Sequence, residues 1–167
     1  MFRANRSCLI PMSSALRQQR HDDGPATSLC RELEQAHDQL LSAIDRLAEI
    51  TRQPAFDAVR LTQARLQLIQ ASQVRRTVLA DALGELLSSG ARKHSAALRE
   101  LQSSGTDQLM ESSAHVGRWT MDAIERDWAG YCRASEATRR RMKMRIDAER
   151  LLVYPLLRSR LRNERGP

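Results

Sequence analysis

The chain has few of the residues that break helices or cross-link small folds. Its 167 residues include 7 glycines, 5 prolines and 3 cysteines, and aromatic residues make up 4%. Cys8, Cys30 and Cys132 are odd in number, widely spaced and form no CxxC pair, so they exclude a disulfide framework and a zinc knuckle. Arg, Leu and Ala are the commonest residues, and these residues favour helices over strands. We therefore predict an all-α domain.

Long apolar runs and the common catalytic motifs are also missing. No run approaches the roughly 20 apolar residues that a membrane span requires, so we expect a soluble, cytoplasmic protein. No Gly-rich phosphate loop, G-x-S-x-G elbow or HExxH pair occurs. Cys132 lies beside Arg133, and a positive neighbour can activate a thiol, but no obvious base accompanies it. A structural cysteine is the favoured interpretation, and we predict that the protein is not an enzyme.

Excess positive charge is confined to the end of the sequence. Residues 1–138 contain 17 basic and 17 acidic residues, whereas residues 139–167 contain 10 basic and 3 acidic residues, so the whole net charge of +7 lies in the last helix and tail. A patch of this kind can bind nucleic acid or an anionic surface. We favour a solvated helix face, because the basic residues at the start of this segment span two helical turns and point in several directions. We do not expect nucleic acid as the partner. The patch comprises Arg139, Arg140, Arg141, Lys143 and Arg145.

Periodicity divides the chain into a helical bundle and two tails. Residues 1–25 show no sustained period and predict a flexible tail, and the sequence does not decide between Met1 and Met12 as the native start. Residues 26–160 form the predicted bundle, and residues 161–167 a basic tail. The first helix is expected to begin near Thr27 and Ser28, whose hydroxyls can cap a helix. One face of this helix repeats at steps of three and four: Leu33, His37, Leu40, Ile44 and Leu47.

Three further long helices complete the prediction. Gln53-Pro54 closes the first helix and opens the second, which ends at Ser88-Ser89-Gly90. A short helix over residues 91–101 is expected before a break at Ser103-Ser104-Gly105. The third long helix then carries Leu109, Val116, Trp119 and Ile124 as core candidates. Asp127 is a plausible cap for the fourth, which Tyr154-Pro155 ends or kinks. Short connections favour an up-down four-helix bundle with an extra short helix before the third long one.

The last third of the chain resembles the hemerythrin-like, or HHE cation-binding, four-helix bundles. The pattern W-x4-I-x2-DW-x2-Y is followed by RI-x2-E-x3-VYPLL near the end of a long helix. The matching residues are Trp119, Ile124, Asp127, Trp128, Tyr131, Arg145, Ile146, Glu149, Val153, Tyr154, Pro155, Leu156 and Leu157. A His within an amphipathic stripe, His37, is similar to the family's first helix. The resemblance covers residues 28–158, although its specific part is the last forty or so residues.

The resemblance implies a pair of iron ions held by inward-facing His and carboxylate side chains. His37 matches the first-helix ligand and Glu149 the carboxylate before the final stop. The second helix departs from the family pattern, since it offers Gln73 and Thr77 where the family has His and Glu. We therefore expect no cofactor, or iron if the family site survives.

A remodelled metal site is the alternative, and it adds two residues from the third helix. Glu111 and His115 are four residues apart, so they share one face and could converge on an ion with His37 and Glu149.

Each of these four residues also has a structural interpretation, which the residues themselves favour. His37 can be a core histidine bonded to a neighbouring helix, and His115 can stack on Trp119 while Glu111 faces water. Glu149 is placed on an apolar face, so it needs a partner, and Arg75 or Arg76 of the polar second helix can supply it. The sequence thus favours a non-enzymatic binding or regulatory module with a lost or reduced di-iron site. We expect an unknown protein partner, and the oligomeric state stays open.

Overall fold

The computed structural model describes residues 25–88 and 92–164, and all of its regular elements are helical. Helix α1 spans Pro25–Thr51, α2 Ala58–Ser88, α3 Ser95–Arg118, α4 Met121–Arg126 and α5 Trp128–Glu164, and a 3-10 turn at Arg92–His94 precedes α3. The all-α prediction is confirmed. None of these helices combines the length and the apolar character needed to cross a bilayer.

Aspartate and threonine side chains cap the N-termini of α2, α4 and α5 and set where these helices begin. The Asp57 carboxylate accepts from the backbone N–H of Arg60 at 2.9 Å, and the Thr120 hydroxyl accepts from that of Ala123 at 3.3 Å. Asp127 caps α5 as predicted, because its carboxylate accepts from the Gly130 N–H at 2.7 Å. Each side chain satisfies a backbone donor that the first helical turn leaves unpaired.

The core is built from one apolar stripe on each helix and has clusters near both ends. One cluster unites the start of α1 with the ends of α2 and α5 and the start of α3, through residues that include Leu33, Leu83, Leu98 and Leu157. The other unites the end of α1 with the starts of α2 and α5, and it contains Leu47, Leu61, Trp119, Ile124 and Tyr131. Between them, Leu40 and Ile44 of α1 pack with Ile146 of α5.

Four predicted boundaries were wrong. Helix α1 already begins at Pro25, and the Ser28 hydroxyl donates to Glu32 Oε1 at 2.6 Å. Helix α2 begins four residues after Pro54, because Asp57 supplies the cap. The segment expected as a separate short helix over residues 91–101 contains a 3-10 turn at Arg92–His94 and the first turns of α3, which runs unbroken through Ser103-Ser104-Gly105. The serine hydroxyls donate to carbonyl groups of the preceding turn, those of Glu100 and Leu101, at 3.2 Å each.

Two helix features expected at the C-terminal end also differ from the prediction. Of the two predicted effects of Tyr154-Pro155, an end or a kink, the end was wrong, because Pro155 lies inside α5 and the helix continues to Glu164. The proline is exposed between the buried residues Tyr154 and Leu157, whose packing holds the helix on both sides. Helix α5 therefore reaches into the segment 161–167, whereas residues 1–24 and 165–167 lie outside the described residues.

Two of the core candidates proposed for the third helix lie on the surface. Leu109 is 43% and Val116 42% exposed, whereas Trp119 and Ile124 are buried as expected. Trp119 follows the end of α3 and Ile124 belongs to α4, so the short helix contributes part of the core that we had assigned to the long one.

Candidate functional site: a buried carboxylate network

Glu149 is a fully buried acid in the middle of α5. It lies three residues after Ile146 and four before Val153, both fully buried, so the helical repeat directs its carboxylate into the core. A carboxylate in this position is destabilising unless hydrogen bonds and opposite charges compensate for its lost hydration. The structure supplies both from α1, α2 and α5 itself.

One carboxylate oxygen belongs to a chain of buried hydrogen bonds. His37 of α1 is also fully buried, and its Nε2 lies 2.8 Å from Glu149 Oε2. The other ring nitrogen, Nδ1, lies 2.7 Å from the Tyr154 hydroxyl. A proton on Nε2 donates to the carboxylate and leaves Nδ1 to accept from the tyrosine, so a neutral imidazole satisfies both contacts.

The second carboxylate oxygen is shared by two arginines. Arg75 Nη1 of α2 and Arg145 Nε of α5 both donate to Glu149 Oε1, the latter at 2.7 Å. The remaining nitrogens of Arg145 donate to the Ser104 hydroxyl and the Leu101 carbonyl group of α3. All four long helices therefore meet at this network.

The network carries more positive than negative charge. Burial acts to raise the pKa of Glu149, but the His37 hydrogen bond and the charges of Arg75 and Arg145 outweigh it, so the pKa lies below its ordinary value. Burial lowers the pKa of Arg75, and Glu149 opposes that shift. Burial also raises the pKa of Tyr154 to about 12, which keeps its hydroxyl protonated as a donor. Arg75 Nε is buried without a hydrogen-bond partner.

Only two of the four predicted metal ligands come together. His37 and Glu149 are in contact, whereas Glu111 lies on the exposed side of α3, 3.5 Å from Arg141. The ring of His115 packs against Tyr131 at 6.0 Å between centroids, so the predicted stacking partner, Trp119, was wrong. Burial, followed by the surrounding arginines, lowers the pKa of His115. Within the described residues, no three His, Cys, Asp or Glu side chains are grouped closely enough to hold a metal ion.

The chemistry of the network does not suit a metal centre either. Both oxygens of Glu149 already accept hydrogen bonds, and two guanidinium groups lie beside the only carboxylate. A divalent cation would add charge next to these two fixed cations, without the further carboxylates that a di-iron site uses for charge balance. The alternatives that the residues favoured are confirmed for His37 and Glu149, with Arg75 as the partner.

The five residues of the basic patch do not share one surface. Arg139 and the Arg145 side chain are almost completely buried. The three exposed members each face a carboxylate on a different element: Arg140 lies 3.9 Å from Glu136, Arg141 3.5 Å from Glu111, and Lys143 2.7 Å from Asp45. Lys143 and Arg140 line an open groove of about 610 Å³ between α1 and α5, together with Arg52, Arg133 and Arg139.

Sequence reasoning missed Arg145, Ser104 and Tyr154 as members of the network. The signal for Arg145 was present, because it lies four residues before Glu149 on the same helix face. Ser104 and Tyr154 depend on how α3 and α1 lie against α5, which no local pattern specifies. Comparison of the chain with known protein families, curated proteins and solved structures finds no match.

Proposed function

We propose that this protein is a non-enzymatic binding module with an up-down four-helix bundle of the hemerythrin-like type, in which a charge network takes the place of the metal centre. In each of the two core clusters, the start of one long helix packs against the end of another. This alternation supports the bundle arrangement. The resemblance of the segment Trp119–Leu157 to the hemerythrin-like family supports the proposal that the bundle is of this type. The proposed function is recognition of a protein partner, without a cofactor.

One observation carries the proposal: every oxygen of the interior carboxylate is engaged by His37, Arg75 or Arg145. These bonds leave neither carboxylate oxygen unpaired for a substrate or an ion. The described thiols, Cys30 and Cys132, give further support. Burial raises the pKa of both, which keeps them protonated and makes them poor nucleophiles.

The exposed side of α2 is the surface that we assign to the partner. Between Val59 and Thr77, Arg60 is the single charged residue among the exposed ones, although charged residues make up 28% of the chain. Four large apolar side chains project from this α2 face: Val59, Leu66, Ile69 and Val74, which are 67%, 54%, 42% and 48% exposed. Apolar surface that is gathered on one element, rather than scattered singly, is typical of a protein interface.

Neither alternative function has a comparable observation in its favour. A remodelled iron site would need Glu111 and His115 near Glu149, and binding of nucleic acid through α5 would need a continuous basic stripe. Because Arg140, Arg141 and Lys143 face three separate carboxylates, their charge is largely compensated.

Elemental analysis tests the cofactor part of the proposal. We expect protein purified from iron-replete cells to contain no stoichiometric metal, to lack oxo-bridge absorption, and to melt at the same temperature with and without a chelator. About two irons per chain, the stoichiometry of a di-iron centre, would overturn the proposal. Metal that disappears in the His37→Ala, His115→Ala double variant would establish the remodelled site instead.

A photo-crosslinking residue tests the partner part. Placed at Ile69 on the α2 face, it should give a discrete adduct with another protein in cells. The matched control is the same residue at Leu151, which is 79% exposed and belongs to α5. Equal adducts at both positions, or none at Ile69, would contradict a partner surface on α2.

A further inference from the structure

We infer that the groove between α1 and α5 binds a phosphate group of a small ligand. This inference rests on the proposed function, because it gives the binding module a ligand class. The groove lies on the outside of the fold, away from the Glu149 network, and its volume of about 610 Å³ falls within the range of small-molecule sites. Its walls hold five basic and three acidic side chains.

The inference depends mainly on the burial and the bonding of Arg139. It is 9% exposed, yet the one hydrogen bond it makes is from Nη1 to the Ser135 hydroxyl at 2.7 Å, and no carboxylate of the described residues forms an ion pair with it. A buried cation without a counter-ion is costly for the fold. Among the described residues, Arg75 Nε is the fully buried side-chain nitrogen that lacks a hydrogen-bond partner. The unpaired guanidinium nitrogens of Arg139 are therefore not fully buried. Arg139 lines the groove, so part of its side chain borders the space that a ligand would occupy.

A second free cation lies opposite Arg139. Arg52 follows the end of α1, is exposed, lines the same groove and forms no ion pair with a described residue. Burial lowers the pKa of Arg139, and the positive charge of Arg52 adds to that lowering, whereas Tyr131 and Glu136 oppose it, so the two arginines repel each other. An anion between them would remove this repulsion.

The acidic side chains of the groove fill that role only in part: Glu136 opposes the lowering of the Arg139 pKa but forms no ion pair with Arg139. Asp45 is engaged by Lys143 at 2.7 Å, and Glu136 faces Arg140 at 3.9 Å. Asp147 is eight residues after Arg139, or about 12 Å farther along α5. Arg133, on the other side of Arg139, adds positive charge at the rim.

Phosphate is the anion that fits this pair. Guanidinium groups bind oxyanions through two parallel N–H···O bonds, and two forks match the charge and the several oxygens of a phosphate dianion. A bare phosphate would leave most of the groove empty. The phosphate group therefore belongs to a larger molecule, which is either a free phosphomonoester or the head group of an anionic lipid.

Titration calorimetry on the full chain, after chelator treatment and metal analysis of the same preparation, tests the inference. The probes are glycerol 3-phosphate, inorganic phosphate and phosphatidylcholine vesicles with and without phosphatidic acid, each at constant ionic strength set with chloride. Glycerol 3-phosphate should bind, and Arg52→Gln should weaken it about tenfold, the loss of one charge-assisted contact. Arg139→Gln should do the same, and Arg139→Lys should only partly restore binding.

Arg46→Gln is the matched control, because it removes the same charge from an exposed position of α1 that does not line the groove. Arg52-dependent binding of soluble phosphates assigns a free ligand, and Arg52-dependent binding of phosphatidic acid vesicles alone assigns a lipid head group. No binding, or equal weakening by Arg46→Gln and Arg52→Gln, would overturn the inference. A short oligonucleotide is titrated as a further probe, and binding seen only with it would overturn the inference as well. Because the preparation is already shown to be metal-free, these failures would leave the proposed function intact.

Discussion

At the scale of single residues, Glu149 is the acid on which the interior depends. Replacing it with the isosteric Gln leaves Arg75 and Arg145 buried without a counter-charge, and breaking a buried pair in this way typically destabilises a fold by about 3–5 kcal/mol. We expect Glu149→Gln to lower the free energy of unfolding by about 3 kcal/mol in urea titrations followed by circular dichroism. Glu100→Gln removes the same charge from an exposed position of α3 and should change it by less than about 0.5 kcal/mol.

The decrease in unfolding free energy at acid pH provides an independent check of the role of Glu149. Since the folded-state pKa of Glu149 is lowered, the unfolded chain binds the proton more readily. Its contribution is therefore fully present above the unfolded pKa, about 4.3, and is lost as the pH falls through the folded value. The difference in stability between the wild type and Glu149→Gln should shrink over that range. A difference that stays constant down to acid pH, or equal effects of Glu149→Gln and Glu100→Gln, would show that the carboxylate is not the compensating charge.

Part of this network could be predicted from residue patterns, and part could not. The position of Glu149 on an apolar stripe predicted burial and a partner, and the polar middle of α2 predicted an arginine, because buried charge must be compensated. The choice of Arg75 over Arg76 depends on a rotation of α2 that its weak apolar pattern does not specify. Local signals also could not reveal that α3 supplies Ser104 and the Leu101 carbonyl group to Arg145.

At the scale of secondary structure, local breaking signals were overridden by packing. Ser103-Ser104-Gly105 and Tyr154-Pro155 are typical of helix ends, but both lie within helices. Tyr154 and Leu157 are buried on either side of Pro155, and the Ser104 hydroxyl accepts a hydrogen bond from Arg145 of α5. Glycine suits position 105 because α5 approaches closely there: a Cβ added at this position would lie 3.3 Å from Arg145 Nη2. Sequence reasoning found the boundary that Asp127 caps, but it missed the caps at Asp57 and Thr120.

The start of α5 offers a test of this cap, because Asp127 and Gly130 are coupled. A Cβ at position 130 would lie 2.0 Å from Asp127 Oδ2, so Gly130→Ala must displace the capping carboxylate. We expect Asp127→Ala to cost about 1 kcal/mol of unfolding free energy, and Gly130→Ala to cost a similar amount. In the Asp127→Ala background, however, Gly130→Ala should stabilise by about 0.5–1 kcal/mol, since only the helix propensity of alanine remains.

A double-mutant cycle measured by urea denaturation gives this coupling directly. Gly84→Ala is the control, because Gly84 is exposed within α2 and a Cβ there would have no atom within 4 Å. It should stabilise the wild type and the Asp127→Ala variant equally. Additive effects of Asp127→Ala and Gly130→Ala would rule out the cap as the source of the cost.

At the scale of the whole molecule, the uneven charge of the sequence has a structural use. The positive end of the chain forms α5, and its cations lie against acids of α1: Lys143 on Asp45 at 2.7 Å, Arg150 on Asp38 at 3.0 Å and Arg158 on Glu34 at 3.0 Å. The acids recur at steps of four and seven on α1, which is one helix face. Segments that are separately unbalanced thus compensate each other when the two helices meet.

This pairing predicts a loss of stability that depends on salt. We expect the double variant Asp38→Asn, Asp45→Asn to lose about 1 kcal/mol of unfolding free energy at low ionic strength, because exposed pairs contribute a few tenths to 1 kcal/mol each. The control, Asp107→Asn with Glu125→Gln, also removes two acids from the +7 chain, so it raises the general repulsion equally but breaks no ion pair of the described residues. The difference between the two variants, measured by urea denaturation, should disappear toward ~1 M salt, where the screening length falls to ~3 Å. Equal losses in both variants at low salt would mean that net charge alone, and not the α1–α5 pairing, governs stability.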